Sequence, residues 1–257
     1  MTDGVSVQQL LPGPRVLGDL GTDRFAVIEA LAELYTFPRP NWVRASMVAT
    51  LDGSATGDDA LSGSISSPAD RAVLSTLRGV CDVVLAGAGT VRHEDYLVPR
   101  AKPRFAERRR RAGQPPAPPL AVVTRSGNVP AGSIDPGSGL VITCSRADVA
   151  GLRGRFGTEA VIVAGEAEVD VAEAIAALAG RGLGRVQLEG GPTLLGQALT
   201  AGVVDELCLS LSPTLVAGDG PRIAHGSRTL PARNWQLAHL LSDGSMLMLR
   251  YLRRSGA

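Results

Sequence analysis

The sequence predicts an α/β fold built on a mixed but largely parallel sheet, and three observations carry that reading. Short apolar runs alternate with stretches of helical periodicity along most of the chain, the pattern of strands joined by helical crossovers. Two apolar segments at the C-terminus, 235–241 and 246–252, flank Asp243-Gly244, a hairpin signal that adds antiparallel strands at that edge. The chain has 257 residues, 44% of them hydrophobic, enough to bury one large core or two modest ones.

Taken in order, residues 1–22 are rich in Gly, Pro and polar groups and read as an extended arm. Phe25, Ile28, Leu31, Ala32 and Tyr35 recur at helical spacing, and Pro38 and Pro40 end that helix. These first 40 residues precede a main domain over 41–257. Its first strand is the β-branched run 42–51. Ser66 or Ser67 caps a helix that starts on Pro68 and runs to about residue 77. A strand over 80–87 leads into a short helix near Gly89. Residues 100–119 pass from an Arg-rich segment, with Arg108 to Arg111 consecutive, into a Pro-rich connector. Strands then recur at 120–124, 140–143, 160–164, 186–188 and 207–211, with helices at 169–179 and 193–201. There is no internal repeat.

Composition removes several classes of function. With 26 basic and 25 acidic residues the formal charge is +1, which argues against a general nucleic-acid or anionic-membrane binder. Aromatics are only 4%, too few for a base-stacking platform. No run approaches the roughly 18 apolar residues of a membrane span. The first 20 residues lack the pattern of a signal peptide. Cys81, Cys144 and Cys208 lie far apart and odd in number, so neither a disulfide framework nor a CxxC metal site is expected, and a reducing cytoplasm is. His93, His225 and His239 have no metal-ligand spacing.

Four segments carry candidate chemistry. In Glu189-Gly190-Gly191-Pro192-Thr193-Leu194 a strand ends, two glycines permit close backbone approach, and a helix start offers free N–H groups to a phosphate. Glu189 adds a carboxylate at the strand end. Ala86-Gly87-Ala88-Gly89-Thr90 repeats the logic without completing a GxGxxG fingerprint. Two such turns in one sheet suit a ligand with more than one phosphate; each alone also serves as an ordinary strand–helix turn. Arg125 and Ser126, ending another strand, have the chemistry to grip a 2′-phosphate and select NADP over NAD, or to be plain surface residues. The hydroxyl-rich loop 62–67 is either a ligand-covering loop or a linker.

SMVATLDG, SGSISSP, Arg78, AGAGTVRHED and LEGGPTLLGQALTAGVVDELCLSLSPTLVAG, in that order, resemble the reductase domain of bacterial riboflavin-biosynthesis proteins. The resemblance runs from about Asn41 to Tyr251. It implies a dihydrofolate-reductase-like, three-layer α/β/α fold and NADPH-dependent reduction of 5-amino-6-(5-phosphoribosylamino)uracil to its ribityl product. It implies that Gly190, Gly191, Pro192, Thr193 and Leu194 bind cofactor, with Gly87, Thr90 and Glu94 at the second turn. Val48, Ala49, Ser64 and Ile65 would line the nicotinamide cleft, and Val163 and Gly165 would lie near the adenosine half. Ser62, Arg78 and Arg100 would hold the phosphoribosyl group, and Glu189 would face the substrate as the candidate catalytic residue. A homodimer with a small-molecule substrate is implied, with no metal, nucleic acid or membrane partner. Two-domain members carry a zinc deaminase with H-x-E and P-C-x-x-C motifs; both are missing here, so a stand-alone reductase is expected. Glu94-Asp95-Tyr96 replaces the family's usual Asp-Asp/Asn-Pro, and Ser46 stands where some members have lysine. Those changes leave a pteridine such as dihydrofolate as an alternative substrate, and a non-catalytic nucleotide-binding protein as a further one.

Overall fold

The computed structural model describes residues 4–134 and 137–254. Eleven strands form one sheet: β1 (Ser6–Leu11), β2 (Arg15–Asp19), β3 (Trp42–Ala49), β4 (Val83–Gly87), β5 (Leu120–Val123), β6 (Gly139–Thr143), β7 (Val161–Val163), β8 (Arg185–Leu188), β9 (Glu206–Leu211), β10 (Trp235–Ser242) and β11 (Leu247–Arg253). Their order across the sheet is β2-β1-β10-β11-β9-β3-β8-β4-β5-β6-β7. Every neighbour from β9 to β7 is parallel, and every neighbour from β2 to β9 antiparallel. The mixed, mostly parallel sheet expected from the sequence is therefore present.

Seven helices cover it: α1 (Arg24–Leu34), α2 (Pro68–Val80), α3 (Ala88–His93), α4 (Pro103–Arg111), α5 (Val149–Phe156), α6 (Val171–Gly180) and α7 (Pro192–Thr200). Alternate side chains of the central strands point to opposite faces. Val83 and Leu85 pack with α6 and α7, whereas Val84 and Ala86 pack with α3 and α5. Helices α1, α2 and α4 share the latter face farther along, over the antiparallel strands. The result is three layers, helices–sheet–helices.

Two expectations change. The arm is a β-hairpin, and β1 pairs with β10, Gln8 opposite Ser242. The C-terminal hairpin β10–β11 is consequently internal, with β1 on one flank and β9 on the other. Helix α5, between β6 and β7, was not expected from the sequence, because Leu152 and Phe156 alone bury its one apolar stripe. The arginine run is structural. Arg108 pairs with Glu29 and Glu33 of α1, and Arg109 is buried and donates to the carbonyls of Gly79, Cys81 and Pro115. Arg110 and Arg111 pair with Glu107 one helical turn away.

Candidate active site

A cleft of about 830 Å³ opens where β3, β4 and β8 end. Its floor is strand β3, through Ser46, Met47 and Val48, and one wall is α2. That helix is placed by its start: Ser67 accepts a hydrogen bond from Asp70 N, and Pro68 occupies the first turn. Ala69, Ala72, Val73 and Leu77 are buried against the core, which leaves Asp70, Leu74 and Arg78 on the cleft side.

Both glycine turns meet at this cleft. Gly87 N donates to Gly190 O at 2.8 Å, and the cleft is lined by Gly87 and Thr90 from one turn and Gly191, Pro192, Thr193 and Leu194 from the other. A Cβ on Gly191 would stand 2.5 Å from Thr90 Oγ1, so any side chain there would force the Thr90 hydroxyl to turn away from its place in the cleft. Gly190 has φ +81, and a Cβ there would stand 3.0 Å from the Met47 sulfur. Helix α7 follows at once with no side-chain cap, so the Thr193 and Leu194 N–H groups have no partner inside the helix. These groups, with the Thr90 hydroxyl, make a cradle of donors and small residues that fits the phosphates of a dinucleotide.

Deeper in, Glu189 is almost fully buried and held by three donors. Arg78 Nε donates to Oε1 at 2.7 Å, Arg78 Nη2 to Oε2 at 2.5 Å, and the Tyr96 hydroxyl to Oε2 at 2.8 Å. The Arg78 guanidinium lies 4.9 Å from the centre of the Tyr96 ring. Burial opposes the charge on Arg78, but the Glu189 carboxylate outweighs it and raises the guanidinium pKa. Burial, then Glu189, pushes the Tyr96 hydroxyl well above its usual value, so it stays a donor. Arg78 and Glu189, expected as two separate substrate ligands, are thus one bidentate pair.

Of the other expected residues, Ser62 and Glu94 line the cleft and are tied together, Ser62 N donating to Glu94 Oε1 at 2.8 Å. Ala49 is buried beside the cleft-lining Val48. Ser64 and Ile65 do not line it: their single turn buries Ile65 and directs the Ser64 hydroxyl to Asp59 at 2.7 Å, leaving Ser62, Gly63 and Ser66 to face the ligand space. Arg100 lines a second cavity of about 370 Å³, where Arg78 and Tyr96 also contribute and Lys102 donates to Ser75 at 2.7 Å. Arg125, Ser126, Val163 and Gly165 lie farther along the sheet, Val163 as the last residue of β7 and the others past the ends of β5 and β7; Arg125 is exposed and 3.7 Å from Glu168.

Sequence reasoning missed Asp70, His93 and His225 as cleft residues, whereas Tyr96, singled out in Glu94-Asp95-Tyr96, does line the cleft. The signal for Asp70 was present, since it shares a helical stripe with Arg78. No group of His, Cys, Asp and Glu among the described residues is arranged to hold a metal ion.

Comparison with known proteins places the chain in a family. The chain is 26% identical over 216 residues to the 2,5-diamino-6-ribosylamino-4(3H)-pyrimidinone 5′-phosphate reductase of Archaeoglobus fulgidus, covering 82% of this chain and 99% of that one. It is 33% identical over 182 residues to the protein of that name from Methanothermobacter thermautotrophicus, covering 67% of this chain and 78% of that one. It is 27% identical to riboflavin biosynthesis protein RibD of Mycobacterium tuberculosis, covering 84% of this chain and 55% of that one. Among solved structures, a pyrimidine reductase-like protein from Corynebacterium diphtheriae superposes with a TM-score of 0.74 at 27% identity, over 84% of this chain and 92% of that one. The model of the RibD C-terminal domain matches residues 41–249, and the chain belongs to that family.

Proposed function

We propose that this protein is an NADPH-dependent reductase of a ribosylamino-pyrimidine 5′-phosphate in riboflavin biosynthesis. The observation that carries the reading is the junction of the two glycine turns: a phosphate cradle opens directly beside the Arg78–Glu189–Tyr96 cluster, in a chain of the RibD C-terminal domain family. When bound, the nicotinamide cofactor supplies a hydride to C1′ of the ring-opened ribosylamine, and with one proton from solvent this yields the ribitylamine and NADP⁺. Thr193 and Leu194 N–H groups and the Thr90 hydroxyl hold the cofactor's phosphates. Arg125 and Ser126 read its 2′-phosphate, with Val163 and Gly165 near the adenosine. Met47 and Val48 exclude water beneath the nicotinamide. Glu189 and Tyr96 hold Arg78 rigid, and Arg78, with Arg100 and Lys102 beyond it, directs the substrate's phosphate. Positioning supplies the catalysis, since no side chain is placed as an evident proton donor.

Loss of NADPH absorbance on adding the pyrimidine substrate is the test, with dihydrofolate as a competing acceptor. No oxidation with the pyrimidine overturns the reading; oxidation with dihydrofolate alone replaces it. A homodimer and a cytoplasmic setting belong to the same proposal. The buried, unpaired cysteines favour the latter. For the dimer, the exposed Leu51 and Leu215, bridged by Leu51 N to Thr214 O, offer an apolar surface, and light scattering reads the mass.

A further inference from the structure

Helix α2 presents Asp70, Arg71, Leu74 and Arg78 to the cleft. Asp70, Leu74 and Arg78 recur every four residues on the lining side, with Asp70 and Arg78 separated by two turns, about 12 Å along the helix axis. The Arg78 end continues into the second cavity through Arg100 and Lys102. At the other end stands a carboxylate whose partners differ in kind from those of Glu189. Glu189 is occupied by a guanidinium and a phenol. Asp70 accepts only from two serine hydroxyls, Ser66 at 2.6 Å and Ser210 at 2.5 Å, and has no ion-pair partner among the described residues. A carboxylate has about four lone-pair sites, so capacity remains on Asp70 for donors from a ligand.

We propose that Asp70 is the specificity-determining residue for the heterocycle, and that it selects a 2-amino-4(3H)-pyrimidinone over a uracil. This rests on the reductase reading above. With its phosphate held at the Arg78 end, the substrate extends along α2 and brings its ring to Asp70. A 2-amino-4(3H)-pyrimidinone offers two adjacent donors, the ring N3–H and an amino N–H, spaced to meet the two oxygens of a carboxylate. A uracil places a carbonyl where that amino group stands, setting an acceptor against an anion. A buried polar group left facing the wrong partner discriminates strongly. Glu189 then serves to position Arg78 and does not read the ring.

The test compares 2,5-diamino-6-ribosylamino-4(3H)-pyrimidinone 5′-phosphate with the corresponding uracil, by kcat/KM with NADPH and by calorimetric binding without cofactor. The wild-type protein should favour the diamino compound by about 10- to 100-fold, the scale of a charged hydrogen-bond pair. In Asp70→Asn that ratio should collapse towards one, through KM more than kcat. Asp70→Ser, which cannot present two acceptors to the ring, should do the same and guards against a folding defect in one variant; thermal unfolding checks both. Wild-type preference for the uracil, or equal losses on both compounds in both variants, overturns the proposal. Binding of the diamino compound without turnover overturns the reductase reading and leaves the role of Asp70 standing. Binding of neither compound overturns both.

Discussion

The absence of a side chain at position 191 leaves the Thr90 hydroxyl facing the junction of the two glycine turns. Any Cβ at position 191 would press on the Thr90 hydroxyl, and valine would also fill the space that a phosphate needs. Gly191→Val should therefore abolish measurable binding of NADPH and NADH alike in a fluorescence titration; unchanged binding would make the turn purely structural. Arg125 tests a different kind of contact. Among the described residues its exposed guanidinium has only a long contact, 3.7 Å to Glu168, which leaves it donors for a 2′-phosphate. Arg125→Ala should weaken NADPH by about 1.5 kcal/mol and leave NADH unchanged; equal losses would show that it does not read that group. Gly191 was legible in the sequence as a cleft turn because a glycine turn is a local signal, and Arg125 is singled out by a signal of the same local kind, a strand-end arginine. The role of Tyr96 has no such signal. It depends on a hydroxyl reaching Glu189, 93 positions along the chain, and only the folded sheet brings them together.

Helix α2 joins stability to the site, because its first turn carries Asp70 and its last carries Arg78. Ser67 caps it by accepting from Asp70 N, while its own hydroxyl donates to Asp243 at 2.7 Å in the β10–β11 turn. Ser67→Ala removes both contacts, and urea unfolding should show a loss of about 1–2 kcal/mol. A loss below about 0.3 kcal/mol would mean that another group caps the helix. Sequence alone does not choose between Ser66 and Ser67, because both hydroxyls precede Pro68. The structure separates them: Ser66 turns its hydroxyl to the Asp70 carboxylate, and Ser67 takes the backbone N–H. Regular elements with strong periodicity, such as β3 and α7, were readable to within a few residues. Hairpin β1–β2 was not, because its place depends on Gln8 meeting Ser242 across the whole chain.

At the scale of the molecule, the antiparallel half of the sheet is held by a buried charge cluster that no local pattern announces. Glu206 of β9 accepts from Arg44 of β3 and from Arg250 of β11, and Trp42 Nε1 adds an uncharged donor at 2.8 Å. Burial works against the Glu206 charge, but the two guanidinium groups outweigh it and lower its pKa. The same cationic surroundings, which favour the charge on Glu206, disfavour a charge on His239 of β10, whose ring lies edge-on at 4.8 Å to Tyr35, the residue that follows α1. Burial, then the positive charge of Arg250, lowers its pKa to about 4. Between the ordinary histidine value of about 6.5 and that value, the unfolded chain binds a proton that the folded chain refuses. Stability therefore rises with pH across this window and falls on acidification, by up to about 3 kcal/mol for this one residue, which is only 3% exposed. His239→Leu fills a similar volume and cannot titrate. Denaturant unfolding of both proteins from pH 7 to pH 4 should give curves that converge, or cross in favour of the variant, as the pH falls, because only the wild type pays to keep a proton off position 239. Carboxylates elsewhere act on both proteins and cancel in the difference. Curves that stay parallel over the whole range would show that His239 accepts its proton without cost, and that the Arg44–Glu206–Arg250 cluster does not extend its field to β10.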